Sequence, residues 1–222
     1  VHHEWLNLED AYPNEEFLAN LRQVVGDTGT ILVWSHYEAS LLKNVRDQLR
    51  DRGVLTEELE MWFKGVLGVK DGSKTVIPAR IVDLLKKSEA HYCHPDMKGS
   101  HSIKKVLDAV WSGAPDLWSH PWFKDYYATD VSSRALDPYK TLVNPEKFEY
   151  LGDSVDLEDE DDYEPGVTDG VGAMRAYQDM LFGLNRDNPE IRDSMRDSLL
   201  RYCELDTAAM VMIWEYWKQK TS

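Results

Sequence analysis

The sequence predicts an α/β fold, on three observations. The run Thr30, Ile31, Leu32, Val33 and Trp34 is short, apolar and rich in β-branched residues, the pattern of a strand buried on both faces. A polar turn, Ser35-His36-Tyr37-Glu38, leads from it directly into a stretch with Leu41, Leu42, Val45 and Leu49 on one helical stripe. Amphipathic helical segments precede and follow this unit, and a 42% hydrophobic content over 222 residues is enough for a core.

The first helix is expected over residues 13–25. Pro13, Asn14, Glu15 and Glu16 form an acidic start, Phe17, Leu18, Leu21, Val24 and Val25 follow at helical spacing, and Gly26 and Gly29 end it. The helix after the strand covers residues 39–50 and another covers about 55–66. Gly65, Gly68 and Gly72 then loosen the chain before the apolar segment 79–85. Ile103, Val106, Leu107 and Val110 predict a helix over roughly 101–111.

From about 112 to 168 no period survives. Pro, Gly, Trp and acidic residues dominate, and residues 157–162 form an acidic run that reads as a solvated loop. The aromatic stretch 118–127 reads as part of an insertion that folds onto the domain. Helical pattern returns after Asp169-Gly170 and runs to about 182, and a last long helix is expected from 188 to 218.

The net charge of −15 argues against a chain that grips nucleic acid mainly through a surplus of Lys and Arg. It leaves open an enzyme that gathers acids around cations. Two cysteines, Cys93 and Cys203, are too few for a disulfide framework, and nothing resembles a signal peptide or a membrane-spanning run. A reduced, cytoplasmic chain is the expectation. The opening Val1-His2-His3, without an initiator Met, reads as the start of a fragment.

Tyr202 and Asp206 lie four residues apart and so share one helix face, where a phenol and a carboxylate can converge. By spacing alone such a pair also fits a hydrogen bond at a solvated edge. Glu38, just past a buried strand, can face a cleft of the kind α/β enzymes use. His91, Cys93, His94 and His101 match no standard zinc spacing, and a His-Pro turn explains part of that cluster. Lys104 and Lys105, behind Ser100 and Ser102, could meet phosphate at a helix N-terminus or simply form the wet face of a helix.

The segment Val33-Trp34-Ser35-His36-Tyr37-Glu38 resembles the second motif of the DEDD, or DnaQ-like, exonuclease superfamily, and Tyr202-Cys203-Glu204-Leu205-Asp206 resembles its third motif in the tyrosine form. Over most of its length the chain is similar to a prokaryotic domain of unknown function found at the C-terminus of RecB-like nuclease proteins and their relatives. That likeness rests on Ile31 to Glu38, Asp83-Leu84, His94-Pro95, Gly99-Ser100-His101-Ser102-Ile103-Lys104-Lys105, Asp169-Gly170 with Ala173, and Tyr202 to Asp206.

The resemblance implies a single RNase H-like domain over residues 1–222, a mixed sheet flanked by helices, with an insertion at 112–168. It implies two Mg2+ or Mn2+ ions bound by Glu38, Asp206 and an Asp-x-Glu pair, with Tyr202 orienting the attacking water. No such pair is found here, since His2-His3-Glu4 and Leu8-Glu9-Asp10 do not supply it. The opening strand and first motif are therefore expected ahead of residue 1, leaving the two-metal site incomplete.

The implied activity is hydrolysis of phosphodiester bonds from single-stranded 3′ ends of DNA or RNA, with Ser100, Ser102, Lys104 and Lys105 as nucleic-acid contacts and further domains of the parent polypeptide as partners. The alternative is a catalytically silent nucleic-acid- or protein-binding module of a larger defence or repair protein. A third possibility is an acidic domain that docks a basic partner through residues 156–164.

Overall fold

The computed structural model describes residues 1–142, 167, 170–184 and 186–221. The acidic run at 157–162, its proposed docking role and Asp169 lie outside the described residues. The chain is mixed α/β, and its contacts gather into two compact units, His3–Cys93 and His94–Ser222.

The first unit opens with α1 (Asn14–Val25), and β1 (Ile31–Val33) leads into α2 (Tyr37–Asp51) and α3 (Glu57–Leu67). A hairpin of β2 (Val69–Asp71) and β3 (Lys74–Ile77) follows, then β4 (Ile81–Asp83) and α4 (Leu84–His91). β1 and β4 pair in parallel with Ile31 opposite Ile81 and Val33 opposite Asp83, while β2 and β3 pair antiparallel. Of the three glycines expected to loosen the chain, Gly65 lies within α3, Gly68 ends that helix and Gly72 sits in the hairpin turn. Gly72-Ser73 supplies the tight turn between Asp71 and its partner Lys74, with Gly72 at φ +56°.

Leu18 from α1, Val45 and Leu49 from α2, and Trp62, Phe63 and Val66 from α3 form one buried cluster, against which Ile31 and Ile81 pack. Burying each such side chain contributes about 1.5–3 kcal/mol. Arg80, one residue before β4, holds the turn that leads into β1. Its guanidinium donates to the carbonyls of Gly29 at 2.8 Å, Gly26 at 2.8 Å, Val25 at 3.0 Å and Thr28. Trp62 Nε1 also donates to the Gly26 carbonyl, at 3.1 Å. Carbonyls that a turn would leave bare are thus satisfied from a distant part of the chain.

The second unit contains α5 (Ile103–Trp111), α6 (Pro115–Trp118), α7 (Gly170–Phe182) and the 33-residue α8 (Pro189–Thr221), with short 3-10 helices at Pro95–Met97, Lys124–Tyr126 and Pro138–Leu142. α8 packs against α5, α7 and the Pro138–Leu142 turn. Val106, Leu107, Val110 and Trp111 of α5 are fully buried, as are Leu205, Ala209, Met212 and Ile213 of α8. In the aromatic stretch Trp118 stacks on Tyr127 with ring centroids 5.0 Å apart, and its Nε1 donates to the Trp111 carbonyl of α5. Among the described residues, no helix is long and apolar enough to cross a membrane.

Candidate functional site

Glu38 and Asp83 belong to the first unit. Because β1 and β4 run parallel and Val33 faces Asp83, the turn after β1 and the start of α4 leave the same edge of the strand pair. In open α/β sheets, ligands gather at the carboxyl ends of strands. Asp83 is committed to structure there: it caps α4 and accepts the Lys86 amide at 3.3 Å. Glu38 sits in the first turn of α2, a position favourable for a carboxylate. Its Oε2 is buried and has no hydrogen-bond partner among the described residues. A buried carboxylate oxygen without a donor is costly unless something satisfies it.

Tyr202, Asp206 and the α5 residues belong to the second unit. The buried stripe of α8 carries Tyr202 at 8% exposure, and Asp206 lies half-buried one turn further on. Tyr202 hydrogen-bonds the Asp206 carboxylate, as the four-residue spacing predicts. A second phenol reaches the same group: Tyr139 Oη donates to Asp206 Oδ1 at 2.5 Å. Lys104 places its ammonium 5.3 Å from the centroid of the Tyr139 ring, on the face where cation–π attraction acts.

Burial pushes the Asp206 carboxyl above its ordinary pKa, and the two phenols together with the Lys104 charge pull it part of the way back. Tyr139 is pushed up strongly, first by burial and then by the Asp206 carboxylate it serves. Beside them Asp137 is pushed up to about 6 by burial, with Asp108 adding repulsion and the Tyr139 amide opposing. On a different side of α8, burial and then Glu204 push Tyr126 up to about 12.

The other α5 candidates are occupied locally. Ser102 is the N-cap of α5 and accepts the Lys105 amide at 3.4 Å, and Ser100 Oγ accepts the Ser102 amide at 3.3 Å. Lys105 is exposed, whereas Lys104 turns toward the tyrosine–aspartate pair. Sequence reasoning did not find Tyr139 or Asp137. The local signal is Asp137-Pro138, in which Asp137 Oδ1 accepts the Tyr139 amide at 3.0 Å and starts the turn.

Carboxylate oxygens are the donors that Mg2+ and Mn2+ prefer, and the orphaned oxygen of Glu38 is of the kind a cation satisfies. The residues fit such ions in kind and fall short in number. Among the described residues, no three His, Cys, Asp or Glu side chains come together as a metal-binding group. In the first unit a groove of about 620 Å3 lies among α1, α2 and α3, lined by Leu18, Leu49, Val54 and Leu59 with Glu15 and Arg22 at its polar side.

Residues 1–102 match the family model of a domain of unknown function, DUF2779. The matched stretch includes Glu38, Asp83, Ser100 and Ser102 and ends before Lys104 and the α8 pair. No curated protein and no solved structure matches the chain.

Proposed function

We propose that the chain carries a metal-dependent 3′–5′ exonuclease-like domain of the DEDD type, built on an RNase H-like fold and acting on single-stranded ends of DNA or RNA. The observation that carries the reading is the Tyr202–Asp206 pair, one helical turn apart, hydrogen-bonded and set into the buried stripe of α8. The acid after a strand, Glu38 with its unsatisfied buried oxygen, supports it.

In this reading Glu38 and Asp206 would each be a carboxylate ligand, and an Asp-x-Glu pair not found in this sequence would supply the others. Two Mg2+ or Mn2+ ions held by such a set would supply the chemistry of lowering the pKa of an attacking water and stabilising the leaving oxygen. The protein's part is to fix geometry. Tyr202 orients the water, Asp206 holds its carboxylate at one angle, and the Lys104 ammonium offsets negative charge brought close to it. Lys105, exposed at the start of α5, contacts the phosphate backbone, and Ser100 and Ser102 hold that helix start in shape for the contact. The chain works in a reducing cytoplasm, where Cys93 and Cys203 stay free thiols.

The test is Mn2+-dependent digestion of a 5′-labelled single-stranded oligonucleotide by the full-length protein, beside Asp206→Ala. A ladder shortening from the 3′ end, abolished by the substitution, supports the reading. No ladder, or a ladder indifferent to Asp206→Ala, overturns it.

One observation favours a second reading, the catalytically silent binding module: Asp206 already has two phenols as partners within its own unit. Nucleic-acid binding that is unchanged in Glu38→Gln and Asp206→Ala, without cleavage, is its signature.

A further inference from the structure

We infer that Tyr139 is a positioning residue for Asp206, fixing the angle at which that carboxylate faces the reaction; the inference rests on the exonuclease reading. Tyr202 and Asp206 share one helix, so the bond between them alone ties the carboxylate to its own element. The Tyr139 hydroxyl comes from a separate element, the Pro138–Leu142 turn, and meets Oδ1 at 2.5 Å. A carboxylate held by donors from two elements has one orientation rather than a family of them.

The phenol is itself fixed from several sides. Asp137 Oδ1 accepts the Tyr139 amide at 3.0 Å, and Pro138 restricts the turn. Arg201, on α8, donates to the Thr141 carbonyl at 3.1 Å, which ties the turn to the helix that bears Asp206. The Lys104 ammonium lies over the ring, and Tyr139 is only 5% exposed.

This burial separates a positioning role from a blocking one. A phenol that merely occupied the acid and had to leave during turnover would need to draw a ring that is only 5% exposed out of its seat and away from the Lys104 ammonium each time. A side chain seated this deeply is built to stay, and its hydroxyl leaves the remaining lone pairs of Asp206 available.

The experiment compares wild type and Tyr139→Phe in the full-length protein, using Mn2+ and a 5′-labelled single-stranded oligonucleotide and resolving kcat from KM. Phe keeps the ring and removes the donor. The expected result is a kcat lower by about 10- to 100-fold with KM within about twofold. Fluorotyrosine placed at position 139, which keeps the hydroxyl, restores kcat and covers the case in which Tyr139→Phe folds poorly. A second readout without turnover is the carbon-13 resonance of the Asp206 carboxyl, which shifts in Tyr139→Phe and returns with fluorotyrosine.

A wild type that cleaves while Tyr139→Phe cleaves equally fast overturns the inference alone, and a faster variant identifies a blocking contact instead. A matched fall in kcat/KM carried by KM also overturns it, since that marks substrate binding. A wild type that cleaves nothing overturns the exonuclease reading and this inference with it.

Discussion

Asp137 accepts the amide proton of Tyr139 at 3.0 Å from a half-buried position in which its own ionisation is disfavoured, its pKa pushed up to about 6. The group that starts the turn is therefore also the one whose charge works against it. In the folded chain Asp137 holds its proton more tightly than in the unfolded chain, where the value is near 4. Its stabilising contribution is full below pH 4, is lost as the pH rises through 6, and is constant above that. Asp137→Asn keeps an acceptor for the Tyr139 amide and removes the charge. It is expected to raise stability at pH 7 by about 2 kcal/mol and not at pH 4. Urea unfolding of both proteins across that range measures the difference.

Arg80→Ala removes one guanidinium that serves four backbone carbonyls. The expected loss is about 3 kcal/mol in urea unfolding, because carbonyls at the turn into β1 are left without donors. Arg80→Lys is expected to recover less than half of it, since a single ammonium cannot reproduce the planar fork.

Gly68→Ala and Gly72→Ala separate crowding from backbone strain. Both glycines have positive φ, +77° and +56°. At Gly68 an added Cβ would lie 2.8 Å from the Ala79 amide nitrogen, whereas at Gly72 nothing stands within 4 Å. Gly72→Ala is expected to cost about 1 kcal/mol from backbone strain alone. Gly68→Ala should cost distinctly more, and thermal unfolding of the two variants side by side checks the order.

Ser102→Ala and Lys105→Ala part the two roles available at the start of α5. The capping bond that the Lys105 amide donates to Ser102 Oγ predicts a stability loss of about 1 kcal/mol for Ser102→Ala. Fluorescence anisotropy with a labelled single-stranded oligonucleotide is expected to weaken for Lys105→Ala and to lose its salt slope by about one unit. Equal binding by wild type and Lys105→Ala would remove this lysine from the proposed interface.

Glu38→Gln is expected to lower cleavage by at least about 100-fold in the full-length protein while leaving the melting temperature within a few degrees. A drop in activity that merely follows a drop in melting temperature would assign Glu38 to folding.

Much of the secondary structure was legible because it is carried by local pattern. Ile31, Leu32 and Val33 announce a strand without help from elsewhere, although of the three only Val33 is buried rather than the whole strand on both faces, and the helices show their stripes at Leu18, Val45 and Val106. The β2–β3 hairpin was not, although Gly72-Ser73 is a turn signal. Lys70, Lys74, Thr75 and Val76 are all exposed, so the strands lack the inside–outside alternation that marks a half-buried hairpin.

The candidate site divides in the same way. Tyr202 and Asp206 could be paired from helical spacing, which needs only their own segment. Tyr139 could not, because 67 positions separate it from Asp206 and its surroundings have no period to extend. Lys104 was visible as a charge, but its direction toward a tyrosine ring depends on how the Pro138–Leu142 turn meets α8.

The Arg80 clasp also sets a schedule for synthesis. Gly29 and Arg80 are 51 positions apart, and Ile31 has no parallel partner until Ile81 exists. On a ribosome adding about 5–20 residues per second, the apolar strand around Leu32 waits some seconds for the segment that covers it. During that interval the nascent chain exposes a sticky edge, and holding factors that bind short apolar segments have their natural target there.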